Sequence, residues 1–187
     1  VHYAPTPETD IPLAAKSFLL VDSGGHYLEG TTDITRTIAM GPLTDQEKAM
    51  YTAVLRGNLA LGAARFAHGC SGRNLDVLAR IPLWGQGLDY NHGPGHGVGY
   101  LLNVHEGPNS IRFRASDDPA RTDTTLEAGM ITSNEPGFYL ADHFGIRLEN
   151  LTACREDLQN EYGRFMSRIT DVTVKQTSID NPIGFSN

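Results

Sequence analysis

The stretch from Asp22 to Thr37, DSGGHYLEGTTDITRT, joins the end of one apolar run to the start of a second. Upstream lies KSFLLV and downstream IAM, so β-forming residues flank Gly24, Gly25 and Gly30. That pattern predicts two strands, around Phe18 to Asp22 and Asp33 to Met40, closed into a hairpin by a glycine-rich reversal. Asp33 is the anomaly, because it stands at the centre of the second run. Burying a carboxylate without a partner costs several kcal/mol, so either Asp33 faces water or something cationic meets it.

Outward from this hairpin the pattern changes period. Thr44 followed by Glu47 is a capping-box pair, and Met50, Val54, Leu55 and Leu59 recur at helical spacing, which predicts the longest helix of the chain. A shorter helix is expected over Asn74 to Arg80, with Pro82 as its stop. The glycines between Gly93 and Gly99, with Pro94, predict loop or irregular strand. GMITSNEPGFYL and GIRLENLTAC read as strands separated by a loop around Asp142 to Phe144, and ITDVTVKQT in the tail as a further strand. No repeat, low-complexity tract or linker divides the chain, so a single domain over residues 1–187 is expected.

The composition narrows the function. Of 187 residues 40% are hydrophobic and 20% charged, the balance of a globular domain, and the formal net charge of -7 without a basic run argues against nucleic acid. No apolar run is long enough to span a bilayer and no leader pattern opens the chain, so the expectation is a soluble, cytoplasmic protein with no membrane partner. Cys70 and Cys154 stand far apart and suggest neither a disulfide framework nor a zinc-thiolate site.

Four carboxylates share one habit: Asp22 closes an apolar strand, Asp33 lies within the next, Glu135 ends a third before Pro136, and Glu149 lies within a fourth. With His96 they form an oxygen-rich set with one imidazole, suited to two divalent cations that carboxylates can bridge. Each has a plainer reading. Asp22 before Ser23-Gly24 could cap a turn, Asp33 could face solvent, and Glu149 could form a surface pair with Arg147. The spacing of His92 and His96 matches a helical zinc pair, but Pro94 and its glycines disfavour the helix, and GPGHGVG lacks the Lys-Ser/Thr ending of a phosphate loop. His26, His68 and His143 read individually as surface or core histidines.

In order, DSGGHYLEGTTDITRT, HGPGHGVGYLLNVHEGP, NEPGFY and GIRLENL resemble the signature of the pita-bread dinuclear metallopeptidases, in their aminopeptidase P (Xaa-Pro aminopeptidase) branch, and HYAPTPET ahead of them fits that branch. The resemblance runs from Val1 to about Ala153. It implies an α+β fold, a curved antiparallel sheet backed by helices, of which this chain would be the major C-terminal portion, lacking the first strand-and-helix segment; as a fragment it is expected to be less stable and poorly active. It implies two divalent cations, manganese first and zinc or cobalt as alternatives, with Asp22 on one, Asp33 and Glu149 bridging both, and His96 with Glu135 completing the second. A hydroxide between the cations would be the nucleophile and Glu135 the proton shuttle. His105 would stabilise the tetrahedral intermediate, His92 would touch the substrate backbone, and His2 would line the pocket; Arg147 would orient a ligand carboxylate. The substrate would be a peptide with proline second, walled by Tyr3, Tyr100 and the His92 loop, and the family allows a homodimer. A dipeptide-cleaving prolidase and a non-catalytic peptide-binding module of the same fold are the alternatives.

Overall fold

The computed structural model describes residues 3–100, 103–114 and 124–170. His2, most of the tail run ITDVTVKQT and everything beyond it lie outside them. A 3-10 turn at Pro7–Thr9 precedes β1 (Phe18–Tyr27) and β2 (Gly30–Ala39), followed by α1 (Asp45–Gly62), β3 (Arg65–Ala67) and α2 (Gly72–Trp84). The chain continues through β4 (Gly95–His96), β5 (Ser110–Ile111), β6 (Ile131–Asn134), β7 (Gly137–Leu140), β8 (Phe144–Arg147), β9 (Asn150–Asn160) and β10 (Gly163–Thr170).

The hairpin forms, but its reversal is not at the paired glycines. β1 runs through Gly24 and Gly25, and the chain turns at Leu28-Glu29, with Tyr27 opposite Gly30. Gly24 lies opposite Asp33, and a β-carbon there would come within 2.4 Å of the Thr32 carbonyl. The glycine therefore serves close strand approach rather than a turn.

α1 starts where the capping box places it. Thr44 Oγ1 accepts from Glu47 N–H, and the Thr44 N–H donates to Glu47 Oε2 at 2.7 Å. α2 begins at Gly72, behind a Ser71 cap whose N–H donates to Asn74 Oδ1, and it passes through Pro82 to Trp84. Proline at this point removes one helical hydrogen bond near the end of the helix. The loss is borne because Leu83 is fully buried and Trp84 meets Phe113 edge-on.

All strand pairs are antiparallel, arranged as β1-β2, β3-β10-β9-β6, β4-β5 and β7-β8. The expected single curved sheet is thus interrupted into four smaller sheets among the described residues, and each of the two runs predicted as one strand is divided in two. β6 and β9 stop pairing at Asn134 and Asn150, and β7 and β8 start at Gly137 and Arg147. Glu135-Pro136 and Leu148-Glu149 fill the facing gaps. Proline has no N–H for the ladder, so a break before Gly137 is what its chemistry requires. Helices back the strands through two apolar clusters, one centred on Tyr51, Val54, Leu83 and Ile146, the other on Leu61, Phe66, Ile111 and Met166.

Candidate metal centre

Side chains of a strand alternate between faces, so Thr31, Asp33, Thr35 and Thr37 project from β2 on one side. Thr35 and Thr37 are fully buried, which explains the run of threonines: each hydroxyl is spent on a partner. Thr35 Oγ1 donates to Glu149 Oε2 at 2.6 Å and accepts from Arg147 Nε at 3.2 Å. Thr37 Oγ1 donates to the Arg147 carbonyl at 2.8 Å.

His96 reaches the same place from β4. Its Nδ1 lies 2.9 Å from the Gly97 carbonyl, which can only accept, so Nδ1 carries the proton and Nε2 is turned inward. Nε2 stands 3.3 Å from Asp33 Oδ2 and 3.1 Å from Glu135 Oε1. A relay fixes Glu135: the His96 N–H donates to Ser133 Oγ, which donates to Glu135 Oε1, each at 2.9 Å. One ligand atom from each of Asp33, His96 and Glu149 falls within 4.8 Å of the others.

This geometry is electrostatically frustrated without a cation. Burial, reinforced by the charges of Glu135 and Asp33, pushes Glu149 up to about 8. Burial works against a charged His96, yet its bonds to Asp33 and Glu135 outweigh that and hold it at about 10. Glu135 is buried too, but contact with His96 keeps its carboxyl below the usual range. Glu149 Oε1 is buried with no hydrogen-bond partner among the described residues. An orphaned carboxylate oxygen, an imidazole nitrogen with its tautomer fixed, and further carboxylates form a donor set that fits divalent metal.

Asp22 joins this cluster through Arg147, whose Nε lies 3.8 Å from Glu135 Oε2. The Asp22 side chain is half exposed and its Oδ2 accepts from Arg147 Nη2 at 2.5 Å. Arg147 itself is buried, and its Nη1 donates to Tyr139 Oη at 3.2 Å. Tyr139 Oη lies 2.9 Å from His92 Nε2, while His92 Nδ1 faces the Gly93 carbonyl at 2.9 Å. Both ring nitrogens of His92 are therefore engaged within the protein, and burial lowers its pKa, so it stays neutral and accepts the tyrosine proton.

His105 is brought to His96 by a tight return of the chain, with ring centroids 4.3 Å apart. The Glu106 N–H donates to the Gly97 carbonyl, and a β-carbon at Gly97 would sit 2.0 Å from the Glu106 oxygen. Only glycine permits this approach. Asp22, Asp33, His92, His96, His105, Glu135, Arg147 and Glu149 all line one open cavity of about 990 Å³. Tyr3 and Tyr100 do not line it. Tyr3 is tied by its hydroxyl to Thr9 in the 3-10 turn, and Tyr100 is largely exposed, so neither forms the expected wall. Thr35, Ser133 and Tyr139 are the residues that sequence reasoning missed; only the alternation of TTDITRT signalled the first.

The chain belongs to metallopeptidase family M24, whose model matches residues 1–156. Aminopeptidase P1 of Lotus japonicus is 51% identical over 156 residues, covering 83% of this chain and 23% of that protein. Xaa-Pro aminopeptidase 1 of Dictyostelium discoideum is 50% identical over 151 residues, covering 81% and 23%. Among solved structures, the X-prolyl aminopeptidase of Caenorhabditis elegans, described as a cytosolic enzyme with a di-nuclear active site, superposes with a TM-score of 0.80 at 39% identity, over 89% of this chain and 26% of that one. A prolidase from Thermococcus sibiricus gives 0.70 at 26% identity, over 91% and 41%. The fold is thus the pita-bread fold, and the chain spans about a quarter of the length of the curated relatives it matches. No helix among the described residues is long and apolar enough to cross a membrane.

Proposed function

We propose that this chain carries the catalytic centre of an Xaa-Pro aminopeptidase, a hydrolase that removes the first residue from peptides with proline second. The observation that carries the reading is the convergence of Asp33, His96 and Glu149, with the unpartnered Glu149 oxygen, on the cavity that Glu135 and His105 also line. Asp33, His96, Glu135 and Glu149 would hold two divalent cations, manganese first, with Asp22 joining them once released from Arg147. When bound, the cations supply Lewis acidity, lowering the pKa of water and polarising the scissile carbonyl.

The chain's own residues divide the remaining work. Glu135 takes a proton from the attacking water and delivers it to the prolyl nitrogen as the C–N bond breaks. His105, exposed at the cavity, donates toward the oxygen that becomes negative in the transition state. His92 is held neutral between Gly93 and Tyr139 and shapes the wall beside the scissile bond. A cytosolic location belongs to the same proposal and leans on the description of the worm relative.

The test is metal analysis with a peptide series. Loaded with manganese, the chain should release the first residue, at the low turnover expected of a chain a quarter of its relatives' length, from a tripeptide with proline second and spare one with alanine second. Cleavage of an X-Pro dipeptide alone would move the assignment to a dipeptidase, and failure to bind metal would leave a peptide-binding module.

A further inference from the structure

We infer that Asn58, outside the ligand set, is a positioning residue for the metal centre: from α1 its one amide group fixes the backbone next to both Glu135 and Glu149. Asn58 is buried, and Nδ2 donates to two carbonyls, Asn134 at 2.9 Å and Leu148 at 3.0 Å. These residues immediately precede Glu135 and Glu149. The tie is reciprocal, since Asn134 Nδ2 donates to the Asn58 carbonyl at 2.8 Å.

The need for such a tie follows from the ladder. β6-β9 pairing ends at Asn134 and Asn150 and β7-β8 pairing starts at Gly137 and Arg147, so the segments bearing both carboxylates lie where regular ladder pairing lapses and a long bond of 3.3 Å from the Leu148 N–H to the Pro136 carbonyl crosses between them. A break frees backbone carbonyls, and buried ones need donors. Around Asn58 the inward face of α1 is apolar, with Val54 and Leu61 fully buried. An amide in that stripe costs desolvation unless both donors are used, and here they hold the two gaps at a common distance from the helix. Carboxylates that must share cations across the gap need that spacing fixed to a fraction of an ångström.

The inference rests on the two-cation reading, and manganese binding separates the two. Binding of Mn(II) is measured by calorimetry for the wild type, for Asn58→Leu, and for Val54→Ala, which opens a cavity on the same helix, in the apolar cluster that includes Leu148, and removes no hydrogen bond to the gaps. At least one Mn(II) should bind about 10- to 100-fold more weakly to Asn58→Leu, as expected when support behind a ligand is lost, while Val54→Ala keeps wild-type affinity at a similarly lowered melting temperature. Should Asn58→Leu not fold, Asn58→Ser, which leaves a hydroxyl and room for water, is read the same way. Both ions bound within threefold of wild type in a folded Asn58 variant, or an equal loss in Val54→Ala, overturns the inference. A wild type that binds no manganese overturns the underlying reading instead.

Discussion

Thr35 and Glu149 are joined across 114 positions of sequence by a 2.6 Å hydrogen bond that occupies one carboxylate oxygen, Oε2, while Oε1 stays buried and unpartnered among the described residues. The threonine hydroxyl thereby selects which oxygen points where, and because it also accepts from Arg147 Nε it links that choice to the arginine holding Asp22. Thr35→Val keeps the shape and removes both bonds. Metal affinity or turnover should fall about 10- to 100-fold, with the circular dichroism spectrum unchanged. Unaltered manganese affinity would show that Glu149 needs no such support.

Glu135 offers a sharper separation of fold from chemistry. Its Oε1 accepts from Ser133 Oγ, a bond that the amide oxygen of Glu135→Gln can keep, so the variant should fold. The amide cannot take a proton from water, and turnover should drop by about 10³-fold or more. Near-normal kcat in the variant would remove Glu135 from the proton path.

The hairpin and α1 were legible in the sequence because their signals are local: apolar runs in β1 and β2, and a capping pair three residues apart at Thr44 and Glu47. The reversal was drawn too long and both strands too short because Gly24-Gly25 looks like turn chemistry, whereas the pair continues β1 and Gly24 lets it pass the Thr32 carbonyl of the opposite strand. β3 escaped notice as three residues whose only justification is pairing with β10, a hundred positions later. Candidate ligands could be named from ordered motifs, yet their supports could not. Thr35, Asn58 and Tyr139 act on partners 114, 76 and 47 positions away, and nothing local distinguishes a threonine that bonds a carboxylate from one that faces water.

Glu47 gives a pH-dependent prediction away from the metal centre. The side chain is buried, which opposes ionisation, but bonds from Ser17 Oγ and from Thr44 prevail and lower its pKa below the ordinary 4.5. Between those two values the unfolded chain binds more protons than the folded one, so stability rises with pH there. The contribution is complete above 4.5 and is lost as pH falls through the folded value. Glu47→Gln should lower stability at pH 7 by about 1 kcal/mol and narrow its gap to wild type in acid. Urea unfolding at pH 7 and pH 3 checks this, and an equal gap at both would contradict it.

Metal and stability should be coupled through Glu149. Its carboxyl is buried beside Glu135 and Asp33, an arrangement that burial and like charge oppose in the metal-free chain. A cation that binds the folded form alone stabilises it by RT ln(1 + [L]/Kd), about 2.7 kcal/mol at a hundredfold excess over Kd. For a chain of this size that is a rise of roughly 5–10 °C in melting temperature, reversed by chelator. Glu149→Gln removes the opposed charge and retains the size of the side chain and an oxygen for Thr35. It should therefore melt at or above the metal-free wild type while losing most of the gain on adding manganese. Thermal unfolding of both proteins, with manganese and with chelator, measures all four values. A metal-free Glu149→Gln that melts well below wild type would mean that the carboxylate holds β2 to β9 as a structural anchor, and that its isolation from a second hydrogen bond has no bearing on metal.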